Sequence, residues 1–344
     1  MRFVCATLIA LACGTLARPA IAEPDPEHEH VIRLSSIAPE GTGYARQLRA
    51  FASETLAETD GRVRIKLYFN AVAGDEYQAW QRVERGQLDA VASAAMLCET
   101  LSPSMRVMRL PGMFRNRDEA MSVLARMKPL TDREFEHAGA RNLGELMIGP
   151  VILFSRDPMR SLGEIRKHTM WIWDADQVMA PIYGALGFNV LPLSINDAGP
   201  AFEQHRHDGF TATPAAALAF QWTTMARYYE PLTVAYLVGC MVVANRAFDE
   251  LSLKDQQAVQ GAAAKALAHM NEVGLEMDTQ LLGGLFEKQG LRRVPISSTM
   301  QVEYEVSSAR ARAALMAAHR VDPELVGKVE QMLNEIRGRH GSRR

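Results

Sequence analysis

Hydrophobic and polar positions change period several times along this chain. Val63, Ile65, Leu67 and Phe69 alternate with Arg64 and Lys66, the two-residue period of a strand with one buried face. Just before it, Leu48, Phe51 and Leu56 recur at helical spacing, and Gly61 stops the helix. With the strand-like HVIRLSS and the Gly/Pro loop that follows it, the opening reads as βαβ and predicts a largely parallel sheet. A helix from about Glu76 to Gly86 then leads into a strand of small residues from Leu88. The order recurs 119 residues later in AFEQHRHDGFTATPAA, where a helix ends near His205 and Asp208 stands where Asp89 stood. The likeness is loose, and it predicts two similar lobes whose strands end near a cleft.

Two stretches depart from this rhythm. In MWIWDAD, Trp171 and Trp173 share one face of a strand, and Asp174 and Asp176 read as its stop and as the cap of the next helix. Strand ends that precede helices are where open α/β sheets bind ligands. An indole N–H needs a partner when buried, so the pair is either core or a ligand wall. Phe210, Thr211 and Thr213 lie at the equivalent end of the later strand. FQWTTMARYYEPL, with Trp222, Tyr228 and Tyr229, reads as helix core. The second departure begins at Ser252-Leu253-Lys254-Asp255, a capping-box pattern. About thirty residues rich in Ala, Gln, Met and Leu follow. They form one helix of ~45 Å or two joined near Gly274, weakened at Gly283-Gly284. A last helix starts at Asp322-Pro323.

The first residues carry Arg2, an apolar run and the small-x-small site Ala20-Ile21-Ala22, which read as a cleaved secretory signal over 1–22. Cys13 follows an imperfect lipobox with Ala10 where leucine is usual, so a soluble periplasmic protein is expected over a lipid-anchored one. The formal net charge of −2 becomes −4 once Arg2 and Arg18 leave with the leader, 36 basic residues against 40 acidic. That balance argues against nucleic acid as a partner. Cys98 and Cys240 sit in apolar, strand-like contexts and read as buried free thiols. No catalytic motif is found: there is no G-x-S-x-G, P-loop, G-x-G-x-x-G after a strand, or H-E-x-x-H. The chain reads as a binder, not an enzyme, without a cofactor. The pairs His28/His30 and His205/His207 read as solvated surface rather than metal ligands.

Taken in order, several stretches resemble the periplasmic substrate-binding proteins of tripartite ATP-independent periplasmic (TRAP) transporters, the DctP type. They are Gly86-x-x-Asp89, LPGMF from Leu110, ALGFNVLPL from Ala185, AFEQHRHDG, and NRAFDELSLKDQQAV from Asn245, spread over about 31–331. The resemblance implies an α/β, two-lobed periplasmic binding protein, type II-like, with a hinge near Gly149-Pro150 and YLVGC and a long lobe-bridging helix. Lobe I is expected over 30–150 plus 237–270, lobe II over 151–236 plus 271–335, and a disordered tail over 336–344. The implied partners are a small-molecule ligand and TRAP membrane permease subunits. One position departs: Trp171 stands where usual members carry an arginine that pairs with a substrate carboxylate, and Thr211 where an asparagine is frequent. A branch with tryptophans here resembles this chain better, and it is associated with a periplasmic helical-repeat partner and a more hydrophobic cleft. The expected ligand-binding set is therefore Trp171, Trp173, Asp174, Phe210, Thr211 and Thr213, with no metal, around an apolar or amphiphilic solute. The rival is an organic acid held by another cation such as Arg33, Arg46 or Arg156.

Overall fold

The computed structural model describes residues 30–341, so the signal and Cys13 lie outside the described residues. Nine strands, β1 (His30–Ser36), β2 (Val63–Tyr68), β3 (Ala90–Ser93), β4 (Ala140–Ser155), β5 (Thr169–Trp173), β6 (Asn189–Leu193), β7 (Gly209–Ala212), β8 (Tyr228–Ala244) and β9 (Arg292–Arg293), form one sheet in the order β2-β1-β3-β8-β4-β7-β5-β6, with β9 beside β8. The order is the same read inward from either edge: β2-β1-β3-β8 on one side, β6-β5-β7-β4 on the other. The β1–β2, β1–β3, β5–β6 and β5–β7 pairs are parallel, as the βαβ reading predicts. The pairs made by β4 and β8 with each other, and with β7 and β3, are antiparallel, so the sheet is mixed rather than largely parallel.

The two long strands cross from one lobe to the other. β4 and β8 pair from Ala140 opposite Ala244 to Ser155 opposite Tyr228, with register shifts at Asn142/Gly144, Met147/Gly149 and Val151/Leu153. Such irregularities bend a strand and break its regular pairing. One of them falls at Gly149, which has φ 147° and lies beneath the long helix.

The internal likeness noticed in the sequence has a common structural basis. The Arg33 N–H donates to Asp89 Oδ2 at 2.9 Å, and the Asp89 N–H returns to the Arg33 carbonyl at 2.9 Å. In the second lobe Thr169 N–H donates to Asp208 Oδ2 at 2.8 Å, and Asp208 N–H returns to the Thr169 carbonyl at 2.8 Å. Each aspartate thus stitches the strand that starts its lobe to the strand that follows it.

Helix boundaries follow their punctuation. The Gly43–Glu58 helix is capped by Thr42 and buries Ala45, Leu48, Phe51 and Thr55, while Leu56 faces out. The long helix runs unbroken from Leu253 to Gln280 through Gly274, capped by Ser252. It passes into a π-helical turn at Leu281–Leu285, where Gly284 takes φ 121°. The last helix spans Pro323–Gly341. Ile336 is buried in it, and Arg337 pairs with Glu119, so the tail expected to be disordered is partly docked helix.

Three other expectations are corrected. Cys98 and Cys240 are joined by a disulfide with Cα atoms 5.8 Å apart; the apolar surroundings that suggested free thiols surround the bond instead. His207 is buried, with ring nitrogens 3.0 and 2.9 Å from the carbonyls of Gly209 and Ala198, so it is a packing residue and not solvated surface. His30 opens β1, and His28 lies outside the described residues. Trp222 begins a 3-10 turn and Tyr228 and Tyr229 begin β8, so that aromatic run is not helix.

Candidate functional site

A cleft of about 320 Å³ opens between the lobes. Its first wall is the end of β1, the loop through Ile37 and Pro39, and the start of the Gly43–Glu58 helix. The opposite wall is the Pro214–Ala219 helix with Phe220, and the long helix closes one side through Met270, Gly274 and Met277. The local sequence explains each wall. Thr42 caps its helix by accepting from the Ala45 N–H at 3.2 Å, which turns the chain at the Gly41-Thr42-Gly43 loop. Thr213 caps the facing helix by accepting from the Ala216 N–H at 3.3 Å, and Pro214 takes its first position. The alanines of PAAALA leave the space that larger side chains would fill. At Gly274 a Cβ would come 2.7 Å from the Tyr44 hydroxyl, so only glycine lets that ring lie against the long helix. Cys240 brings its disulfide to the cleft wall.

The polar groups of the cleft are few. Tyr44 Oη donates to the Ile148 carbonyl at 3.4 Å, and burial pushes its hydroxyl up to about 12. Among the described residues lining the cleft, Arg46 is the one that carries a charge; it is exposed and donates to the Gly41 carbonyl at 3.3 Å. Behind the hinge end lies Asp278, whose oxygens have no hydrogen-bond partner among the described residues. A Cβ at Gly149 would come within 2.6 Å of one of them. Burial pushes its carboxyl up to about 7, and Arg117 opposes that rise.

The six residues expected from the sequence are not brought to this cleft. Trp171 is 2% exposed, and its indole N–H donates to the Leu193 carbonyl at 3.0 Å. Trp173 packs against the same apolar cluster, on the face the two-residue period assigned to it. Phe210 is fully buried and stacks on Phe154, with centroids 5.0 Å apart. Asp174 is exposed, and Asp176 does the capping, accepting from the N–H groups of Val178 and Met179 at 3.2 and 3.1 Å. Thr211 shares a hydrogen bond with the Tyr183 hydroxyl, and Thr213 is the buried helix cap. Trp171 reaches the cleft only through two further rings. Its indole meets Trp222 edge-on at 4.9 Å, Trp222 stacks on Phe220 at 5.0 Å, and Phe220 lines the cleft.

The walls that sequence reasoning missed are the loop after β1 and the alanine helix. Glycine, proline and alanine carry little chemical signal, and what they contribute is space.

Two α/β lobes joined by crossing strands, with an apolar cleft between them, have the architecture of a two-lobed binding protein. Residues 34–308 match the profile of DctP, described as "Bacterial extracellular solute-binding protein, family 7", and the chain belongs to that family. A solute-binding protein from Chromohalobacter salexigens is 25% identical over 235 residues, 67% of this chain and 69% of the relative. Two solved structures share the fold. The sugar acid binding protein from Advenella mimigardefordensis in complex with galactonate has a TM-score of 0.81 at 19% identity, covering 90% of this chain and 99% of that one. A TRAP periplasmic solute binding protein from Haemophilus influenzae with bound L-gulonate has a TM-score of 0.80 at 16% identity, covering 88% and 99%. Among the described residues no helix is long and apolar enough to cross a membrane.

Proposed function

We propose that this chain is the periplasmic substrate-binding component of a TRAP-type transporter, and that it captures a small apolar or amphiphilic solute in the cleft between its lobes. The lobes, taken as 30–150 plus 237–270 and 151–236 plus 271–335, close by bending β4 and β8 near Gly149-Pro150, and the closed form passes its solute to a membrane permease. A periplasmic helical-repeat partner belongs to the same reading. The observation that carries it is the lining of the cleft: alanine, isoleucine, methionine and phenylalanine with a single charged side chain. Apolar burial at ~25 cal/mol per Å² supplies roughly 5 kcal/mol for about 200 Å² of ligand surface, with no ion pair needed. A small dicarboxylate would have to shed its hydration against such walls, which is costly.

The second reading is an organic acid held by a cation other than the arginine that Trp171 displaces, and one observation favours it. Arg33 is held by Asp89 and the Gly86 carbonyl, and Arg156 lies over the Phe202 ring at 3.8 Å. Arg46 alone of the three faces the cleft, where its guanidinium can pair with a solute carboxylate. Mass spectrometry of small molecules released from protein purified out of its native periplasm separates the readings. An apolar or single-headed amphiphilic solute supports the first, and a stoichiometric dicarboxylate or sugar acid supports the second.

A further inference from the structure

Away from the cleft, a buried charge cluster ties the two lobes together. Arg109 ends a 3-10 turn (Pro103–Arg109) of the first lobe and is 1% exposed. One end of its guanidinium donates to Glu99 Oε1 of the same lobe at 3.2 Å. The other end pairs with Asp176, in the loop after β5 of the second lobe, and its Nε points at the Met179 sulfur at 3.3 Å. The geometry points to Arg109–Asp176 as a latch made when the lobes close, with Glu99 exchanging a proton as it forms. This rests on the reading that the lobes open and close around a solute.

The charge balance of the cluster supports the proton. One buried guanidinium faces a buried carboxylate, Glu99, and a partly exposed one, Asp176, and Glu99 Oε2 has no hydrogen-bond partner among the described residues. Buried like charges that share one counter-ion do not both stay ionised. The groups facing Glu99 are Arg109 on the 3-10 turn, Asp176 on the second-lobe loop, and Glu76 with Tyr77 on the Glu76–Glu84 helix. Arg106 Nε donates to the Glu99 backbone carbonyl at 3.2 Å rather than to its carboxylate. Burial first, then Asp176 and Glu76, push the Glu99 carboxyl up to about 7 against the pull of Arg109. With the lobes apart, water reaches the cluster and the carboxyl falls back toward its ordinary range. Closure therefore takes up a proton, and between those two values each unit fall in pH favours the closed form by up to about tenfold. Above about 7 that advantage is gone.

Single-molecule energy transfer tests this on the mature chain, labelled through cysteines placed at the exposed positions Arg82 and Glu203, one per lobe, with the native disulfide left oxidised. The wild type is expected to close more at pH 5.5 than at pH 8.5. Glu99→Gln should be closed equally at both, and Asp176→Asn open at both. Wild-type distances that ignore pH, Glu99→Gln keeping the wild-type response, or Asp176→Asn closing like the wild type would each overturn the proposal. Solute capture, measured by mass spectrometry on the same samples, tells failure of the latch from failure of the binding-protein reading.

Discussion

Trp171 shows how far a residue's chemistry can be read without its surroundings. Its indole needed a partner and found one in the Leu193 carbonyl, which makes it a core residue rather than a cleft wall. Trp171→Ala is expected to cost ~3–5 kcal/mol of folding free energy in denaturant titrations, and to change solute affinity less than stability. A variant as stable as the wild type but unable to hold solute would return the indole to the cleft. Glu230 offers a second test. It is fully buried, accepts from Ser155 Oγ and from the Met159 N–H at 2.9 Å, and burial pushes its carboxyl up to about 7. The folded state then binds a proton that the unfolded chain releases. Its stabilising effect is complete below the ordinary carboxylate value and is lost as pH rises through about 7, at up to ~1.4 kcal/mol per pH unit. Glu230→Gln should flatten that part of the stability profile, and an unchanged slope would assign the titration elsewhere.

Elements were more legible than side-chain destinations. The Val63–Phe69 alternation, the Gly61 stop, the Ser252 cap and the Asp322-Pro323 start each mark a period or a cap that local chemistry enforces, and the structure has an element at each. Ala264 lies on the exposed face of the long helix, so Ala264→Pro tests the backbone alone; a loss of ~3 kcal/mol or more is expected in thermal or chemical unfolding. Unchanged melting and unchanged solute capture would deny the helix its part in joining the lobes. What was not legible depended on partners distant in sequence. Cys98 and Cys240 are 142 residues apart, and their apolar contexts gave no sign that the fold brings them together. The antiparallel crossing of β4 and β8 has no local signature either, because a strand of 16 or 17 residues reads the same whatever lies beside it. Asp174 and Asp176 were read together as strand stop and helix cap, and Asp176 accepts the N–H groups at the start of that helix.

The whole molecule follows from a repeated plan: two half-sheets built in the same order, each stitched by an aspartate, exchanging β4 and β8 and spanned by one long helix. That plan places a cleft at the strand ends of one lobe and the alanine helix of the other, and the lining makes the cleft apolar with one cation at Arg46. The direct test is calorimetric titration of ligand-free protein with two panels, monocarboxylates carrying linear, branched or aromatic apolar bodies, and the small dicarboxylates succinate and malate. At least one amphiphilic monocarboxylate should bind tenfold or more tighter than either dicarboxylate, a difference of ~1.4 kcal/mol or above, and filling the cleft with Ala216→Phe should abolish that preference. Micromolar succinate or malate binding that survives Ala216→Phe would contradict it.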